Sequence, residues 1–144
     1  MPVSYNISSD LKLVIYYASG VVTSSEIITA SERAILDKRR VSDLMTIIDF
    51  SDAVENVQLE EWHELTRRVD EMIEKGIFSI PFVMISNSTS MQLLVDMFNL
   101  WPHKALFRMV MVSTIGEAIS LLGLSESKEE VIQLWNECKA LKRK

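Results

Sequence analysis

The sequence predicts one α/β domain over residues 1–144, built on a mixed, mostly parallel five-stranded sheet with helices on both faces. Met45–Ile48 form an apolar, β-branched run without polar alternation, which is typical of a strand buried between two helical layers. Two strand-like runs open the chain, and strand-like and helical segments then alternate. A hydrophobic share of 48% and a charged share of 24% in 144 residues fit a globular domain with one core.

The first third of the chain predicts a hairpin followed by a helix. Val3–Ser9 alternate between apolar and polar residues, which indicates a half-exposed edge strand, and Leu11–Ala18 form a more apolar second strand. Ser19-Gly20 predict the end of that strand. Thr23–Glu26 have the spacing of a capping box, which predicts a helix from there to about Lys38.

The sequence of the middle of the chain predicts two buried strands of the sheet and the helix between them. A central strand covers Leu44–Ala53, and Val54–Val57 are expected to form a loop. An amphipathic helix follows over Gln58–Lys75 and ends at Gly76. Ile80–Ile85 form the next buried strand.

The last third predicts three helices and one strand. The polar run Ser86–Ser90 caps a helix that reaches Trp101, and Pro102 prevents its continuation. The remaining predicted elements are a strand over Phe107–Val112, a helix from Ser113-Thr114 to Gly123, and a terminal helix that begins near Ser127. The apolar stripe of the terminal helix places Cys138 toward the core.

Composition excludes several classes of protein. A formal charge of −5 and a pI near 5.1 argue against nucleic-acid binding, which requires a basic face. Cys138 is the single cysteine, so the chain can form neither an internal disulfide nor a cysteine metal cluster. No signal-peptide pattern or transmembrane-length apolar run is present, so we expect a cytoplasmic protein without a transmembrane segment.

Two passages and the element order resemble the STAS domain, the sulfate-transporter and anti-sigma-factor-antagonist fold, especially its small stand-alone bacterial members. The passages are Tyr16–Thr23, where strand gives way to helix, and Ile47–Ser51 at the end of the central strand. The resemblance spans nearly the whole chain and implies a non-enzymatic regulatory or protein-interaction module. Antagonist-type members carry a phosphorylatable serine at the start of the next helix, whereas Asn56–Glu60 here offer no hydroxyl. The usual phosphoacceptor motif is therefore missing.

Polar residues follow several predicted strands at what should be one edge of the sheet. Because ligands and partners of open α/β sheets bind beyond the carboxyl ends of the strands, we predict a candidate interaction rim there. Two interpretations of its hydroxyl groups stay open: they cap helices, or they help helix N-termini to hold an anion. The rim comprises Asp49, Ser51, Asp52, Ser86, Asn87, Ser88, Ser113 and Thr114.

The third predicted helix is apolar around more of its surface than one stripe requires. Three explanations stay open: burial under the terminal helix, a homodimer face, or the wall of an apolar pocket. The last would suit binding of an apolar small molecule or lipid, as in the similar lipid-transfer domains of the CRAL-TRIO type. The candidate partner or ligand face comprises Met91, Leu94, Met97, Phe98, Leu100 and Trp101.

Catalytic patterns are absent from the sequence. His63 and His103 lie outside any metal-ligand spacing, and neither a glycine-rich phosphate loop nor a Gly-x-Ser-x-Gly elbow occurs. We therefore predict a protein that is not an enzyme and has no metal or cofactor. The expected partners are another protein, a second copy of the chain or an apolar small ligand.

Overall fold

The computed structural model describes residues 2–41, 43–55, 58–74, 82–100 and 109–142. Within these ranges, the strands are β1 (Val3–Ser8), β2 (Leu13–Val22), β3 (Met45–Glu55), β4 (Phe82–Ile85) and β5 (Met109–Val112). The helices are α1 (Ser24–Ile35), α2 (Leu59–Glu74), α3 (Thr89–Leu100), α4 (Ile115–Leu121) and α5 (Lys128–Lys142), with a short 3-10 helix over Ser125–Ser127. Gly76, Trp101 and Pro102, on which predictions fall, lie outside the described residues.

The described strands form one mixed sheet in the order β1-β2-β3-β4-β5. β1 pairs with β2 in antiparallel fashion, and every later neighbour is parallel. This arrangement confirms the predicted α/β fold with its leading hairpin. Each parallel pair is connected through a helix, as a parallel crossover requires.

Two apolar clusters lie on opposite faces of the sheet because side chains alternate along each strand. Val14 and Tyr16 of β2 face α1, α2 and α3, which contribute Ala34, Trp62 and Phe98 among others. The residues that alternate with them point to α4 and α5 on the other face, where Ile15, Ile47, Ile119 and Val131 pack together. Helices therefore cover both faces, as the continuous apolar run of the central strand indicated.

Two predicted strand ends were wrong, and both errors have one cause. β2 continues past Ser19-Gly20, and β3 continues through Val54 and Glu55 instead of forming a loop. A register shift after Tyr17 and the positive φ of Gly20 (71°) let the two strands keep pairing, so that Val22 lies opposite Glu55. The last residue of β3 that pairs with β4 is Asp49, so the paired strands β2 and β3 extend beyond the end of β4.

The polar face of β1 is not the solvent-exposed face that its alternation indicated. Ser4 Oγ donates a hydrogen bond to the carbonyl oxygen of Cys138 at 2.9 Å, and Asn6 Nδ2 donates to Glu137 at 3.3 Å. α5 therefore covers this face, and Asn6 is buried. Short polar side chains fit here because they satisfy groups of the overlying helix.

The first helix begins where the sequence predicted. Both halves of the capping box are present, since Thr23 Oγ1 accepts from the Glu26 amide and the Glu26 carboxylate accepts from the Thr23 amide at 3.3 Å. The helix ends at Ile35, three residues before the predicted Lys38. Asp37 explains the earlier end because its carboxylate accepts from Tyr5 Oη and the Arg39 amide, both at 2.9 Å, which holds the chain in a turn.

Candidate functional site

Part of the predicted rim lies together at the carboxyl ends of β4 and β5. Asp49 pairs with Ile85, which in turn pairs with Val112, so Ser86 and Ser113 follow at neighbouring positions. The Ser86 amide also donates to the carbonyl oxygen of Val112 at 3.0 Å, which prolongs the ladder. Parallel register thus brings residues far apart in sequence to one edge.

The hydroxyl groups of this rim stabilise turns and helix ends. Ser86 Oγ accepts from the Ser88 amide at 3.1 Å, and Ser88 Oγ accepts from the Met91 amide in the first turn of α3 at 3.2 Å. Thr114 Oγ1 accepts from the Glu117 amide at 3.1 Å and so caps α4. These bonds favour the capping interpretation over anion binding. Asn87 and Ser113 are exposed.

Asp49 is fully buried inside β3, so its predicted place at an open strand end was wrong. Its carboxylate accepts three hydrogen bonds: one from Trp135 Nε1 at 2.6 Å, one from the Ser51 amide at 2.9 Å and one from Ser51 Oγ at 2.6 Å. Buried carboxylates need such partners because desolvation of the charge is otherwise costly. The hydrogen bond between Trp135 and Asp49 attaches α5 to the sheet.

The neighbouring polar residues are also engaged. Tyr17 Oη donates to the Asp52 carboxylate, although Asp52 itself is exposed. Lys139 Nζ lies 3.4 Å from the centroid of the Trp135 ring, in cation–π geometry. Sequence reasoning did not identify the indole of Trp135 as the partner of Asp49, because periodicity places a residue on a face without revealing its hydrogen bonds.

Cys138 lies on the same side of the sheet, and its predicted orientation toward the core is confirmed by its complete burial. Burial raises the pKa of the Cys138 thiol to about 11, despite an opposing side-chain hydrogen bond with Ser4. The Sγ–H group donates to the carbonyl oxygen of Ile15 at 3.5 Å. A protonated, enclosed thiol of this kind is a poor nucleophile at neutral pH.

The predicted apolar face of α3 divides into two sides. Met91 and Phe98 are buried with Val95 in the core and line an apolar cavity, which agrees with the pocket-wall interpretation and not with an exposed partner face. Their spacing of four and three residues turns them toward the sheet. Leu94 packs beside them and lines a cavity. The outward side carries Leu93, Met97 and Leu100, which are exposed, and the predicted Trp101 lies outside the described residues.

An apolar cavity of about 50 Å³ lies between the sheet and helices α1, α2 and α3. Its wall consists mainly of aliphatic, aromatic and methionine side chains from these helices and from β2 to β5. The polar residues of the wall are Ser31, Thr66 and Arg68. Trp62 also lines the cavity, and its ring packs edge to face on Phe98 with centroids 6.5 Å apart.

Two kinds of feature are absent from the described residues, a metal-binding cluster and a membrane-spanning helix. No three His, Cys, Asp or Glu side chains gather in them as a group able to hold a metal ion. None of the helices in the described part of the chain combines the length and apolarity needed to cross a membrane.

Comparison with known proteins supports the fold. No protein-family model matches the chain, and none of the curated proteins matches it. A solved structure to which it is similar is that of an uncharacterised DUF3478-family protein with a SpoIIAA-like fold from Shewanella loihica PV-4, with 12% identity and a TM-score of 0.53. The similarity covers 83% of this chain and 91% of that one. Because SpoIIAA is a STAS-domain anti-sigma antagonist, the predicted STAS-like fold is confirmed.

Proposed function

We propose that this chain is a non-enzymatic interaction module of STAS-like fold, and that it self-associates through the outward side of α3. One observation carries this proposal: three apolar side chains lie exposed in a row on a helix whose other side is already in the core. Leu93 is 60% exposed, Met97 36% and Leu100 84%.

The spacing of these residues makes them one surface. Positions 93, 97 and 100 are separated by four and three residues, so they lie along one side of the helix. A surface helix ordinarily presents polar residues on its outer side, and a helix that is apolar on both sides is usually covered on both. Contiguous apolar patches mark contact surfaces, and symmetric pairing of two copies is the commonest form of such a contact.

The self-association is tested with two leucine variants of equal exposure. Leu100→Asp places a charge on the proposed contact, whereas Leu36→Asp does the same after the end of α1, where the leucine is also 84% exposed. We expect sedimentation velocity to give dimers for the wild type and Leu36→Asp, and monomers with unchanged circular dichroism for Leu100→Asp. Equal behaviour of the two variants would contradict the assignment of α3 as the contact.

The apolar cavity favours a second candidate function, the binding of an apolar small molecule. The wall of the cavity belongs to three helices and the sheet, and apolar cavities inside proteins can take up small apolar molecules. At about 50 Å³ this cavity must widen to admit one. Its Met84, Met91 and Met109 side chains can adjust to a guest because the thioether chain is flexible. Methylenecyclopentane, a compact hydrocarbon, tests this candidate: its titration should shift amide resonances near Ser31 and Thr66 but not near Ile119 on the opposite face.

A further inference from the structure

A basic turn, residues 36–41, follows the last residue of α1 and carries exposed apolar side chains beside cations. Leu36 is 84% exposed, which only Leu100 equals among the described large apolar side chains, and Val41 at the other end of the turn is 37% exposed. The cations between them are Lys38, Arg39 and Arg40. Positive charge and apolar surface therefore occur together on one short segment.

The backbone of the basic turn is fixed from the protein side. The Asp37 carboxylate accepts hydrogen bonds from Tyr5 Oη and from the Arg39 amide, both at 2.9 Å. The Arg40 amide donates to the carbonyl oxygen of Asp37 at 3.1 Å. Ser9 Oγ, in the turn of the first hairpin, donates to the carbonyl oxygen of Arg39. The basic turn is therefore ordered before any partner binds, which lowers the entropic cost of binding.

The charge of this region is opposite to that of the whole chain. Residues 33–43 contain four basic and two acidic residues, a net charge of +2, whereas the chain carries −5. One of the acidic residues, Asp37, also accepts from the Arg39 guanidinium at 3.0 and 3.1 Å. In the adjoining hairpin turn, the charges of Asp10 and Lys12 cancel. Because salt screens charges beyond about 8 Å at physiological ionic strength, the acidic remainder of the surface opposes this local charge only weakly.

Neither feature of the basic turn identifies a partner alone. Single exposed leucines are common on protein surfaces, and cations after a helix C-terminus complement the helix dipole without any ligand. The combination matches a lipid bilayer, because anionic headgroups attract cations while the acyl region beneath them accepts apolar side chains. A soluble polyanion would pair with the cations but offers no apolar layer to Leu36. The chemistry therefore favours a membrane surface.

We propose that the basic turn docks on the surface of a membrane that contains anionic phospholipids, with its two apolar side chains inserted shallowly among the lipids and its three cations near the headgroups. The inference goes beyond the proposed function, since it assigns a second kind of partner to residues that are not part of the α3 contact. So few apolar and basic groups give weak, reversible binding that depends on salt.

Cosedimentation with lipid vesicles tests the docking. The vesicles consist of phosphatidylcholine alone or of an equal mixture of phosphatidylcholine and phosphatidylserine. We expect the full chain to bind the mixed vesicles and not the neutral ones, and added salt to weaken the binding. The test variants are Leu36→Ser and Lys38→Gln. Their matched controls are Leu121→Ser and Lys128→Gln, which change an exposed leucine of α4 and an exposed lysine of α5.

The affinity for the mixed vesicles should fall about tenfold in Leu36→Ser, which removes the inserted side chain, and about fivefold in Lys38→Gln, which removes one cation near the surface. Both controls should bind as the wild type does. Absence of wild-type binding to the mixed vesicles, or equal affinities of each variant and its control, would overturn the inference. Weaker binding of Lys38→Gln with unchanged binding of Leu36→Ser would indicate attraction of charges without insertion and would overturn it as well.

Discussion

Asp49 is the buried acidic side chain that connects the central strand to α5. Replacing it with alanine would leave the Trp135 indole N–H and the Ser51 amide without their acceptor. We expect Asp49→Ala to lower the free energy of unfolding by about 3 kcal/mol, measured by urea denaturation. Asp52→Ala, which removes an exposed carboxylate bonded to Tyr17, should cost about 1 kcal/mol or less. Equal losses would show that Asp49 does not hold α5.

Cys138 should make stability depend on pH in the alkaline range. Burial raises the pKa of its thiol from 9.0 to about 11, so the folded state holds this proton more tightly than the unfolded state. The resulting stabilisation is fully present below about pH 9 and is lost as the pH rises through about 11. We expect the wild type to lose about 2 to 3 kcal/mol more than Cys138→Ala over this interval in urea denaturation.

The comparison with Cys138→Ala isolates the contribution of the thiol to the pH dependence of stability. Burial also raises the pKa values of Tyr5 and Tyr16, and both proteins retain these groups. Their contribution therefore cancels in the difference. Parallel loss of stability in the two proteins between pH 9 and 11 would contradict the burial of Cys138.

At the residue scale, the sequence predicted where side chains lie better than it predicted their hydrogen-bond partners. The apolar stripe of α5 placed Cys138 correctly, and strand-end logic brought Ser86 and Ser113 to one edge. The burial of Asp49 was missed, because an acidic residue after an apolar run usually marks exposure. Its burial depends on Trp135, 86 residues away in sequence, which no local pattern connects to it.

At the element scale, helix caps are the most local signals and can be tested individually. Thr23→Ala removes the side chain that caps α1 and should lower the free energy of unfolding by about 1 kcal/mol. Thr29 in the same helix donates to the carbonyl oxygen of Ser25, and Thr29→Ala should be near neutral because alanine is the better helix former. Thermal denaturation of both variants gives the comparison, and a larger loss for Thr29→Ala would contradict the capping role.

The same scale explains why strand ends were harder to predict than helix starts. Thr23 and Thr114 form their caps with residues three positions away, so the pattern is complete within one turn. The extra length of β2 and β3 is set by pairing between Val21 and Val54, which come from distant parts of the chain. Glycine usually ends a strand, but the positive φ of Gly20 here lets the pairing of β2 with β3 continue.

At the scale of the whole molecule, the alternation of strands and helices was sufficient to predict the fold. Periodicity distinguished the opening hairpin from the parallel strands, and handedness rules restrict the crossovers. The assignment of α1, α2 and α3 to one face and α4 and α5 to the other was not predictable, because each helix has an apolar side that would suit either face. That division creates both the cavity and the outward side of α3.

The proposed interaction module is tested most directly by native mass spectrometry of the wild-type chain over a range of concentrations. The proposal predicts a species of twice the 16.5 kDa chain mass, with its proportion rising with concentration. A single species at the mass of one chain, at every concentration, would contradict self-association through α3.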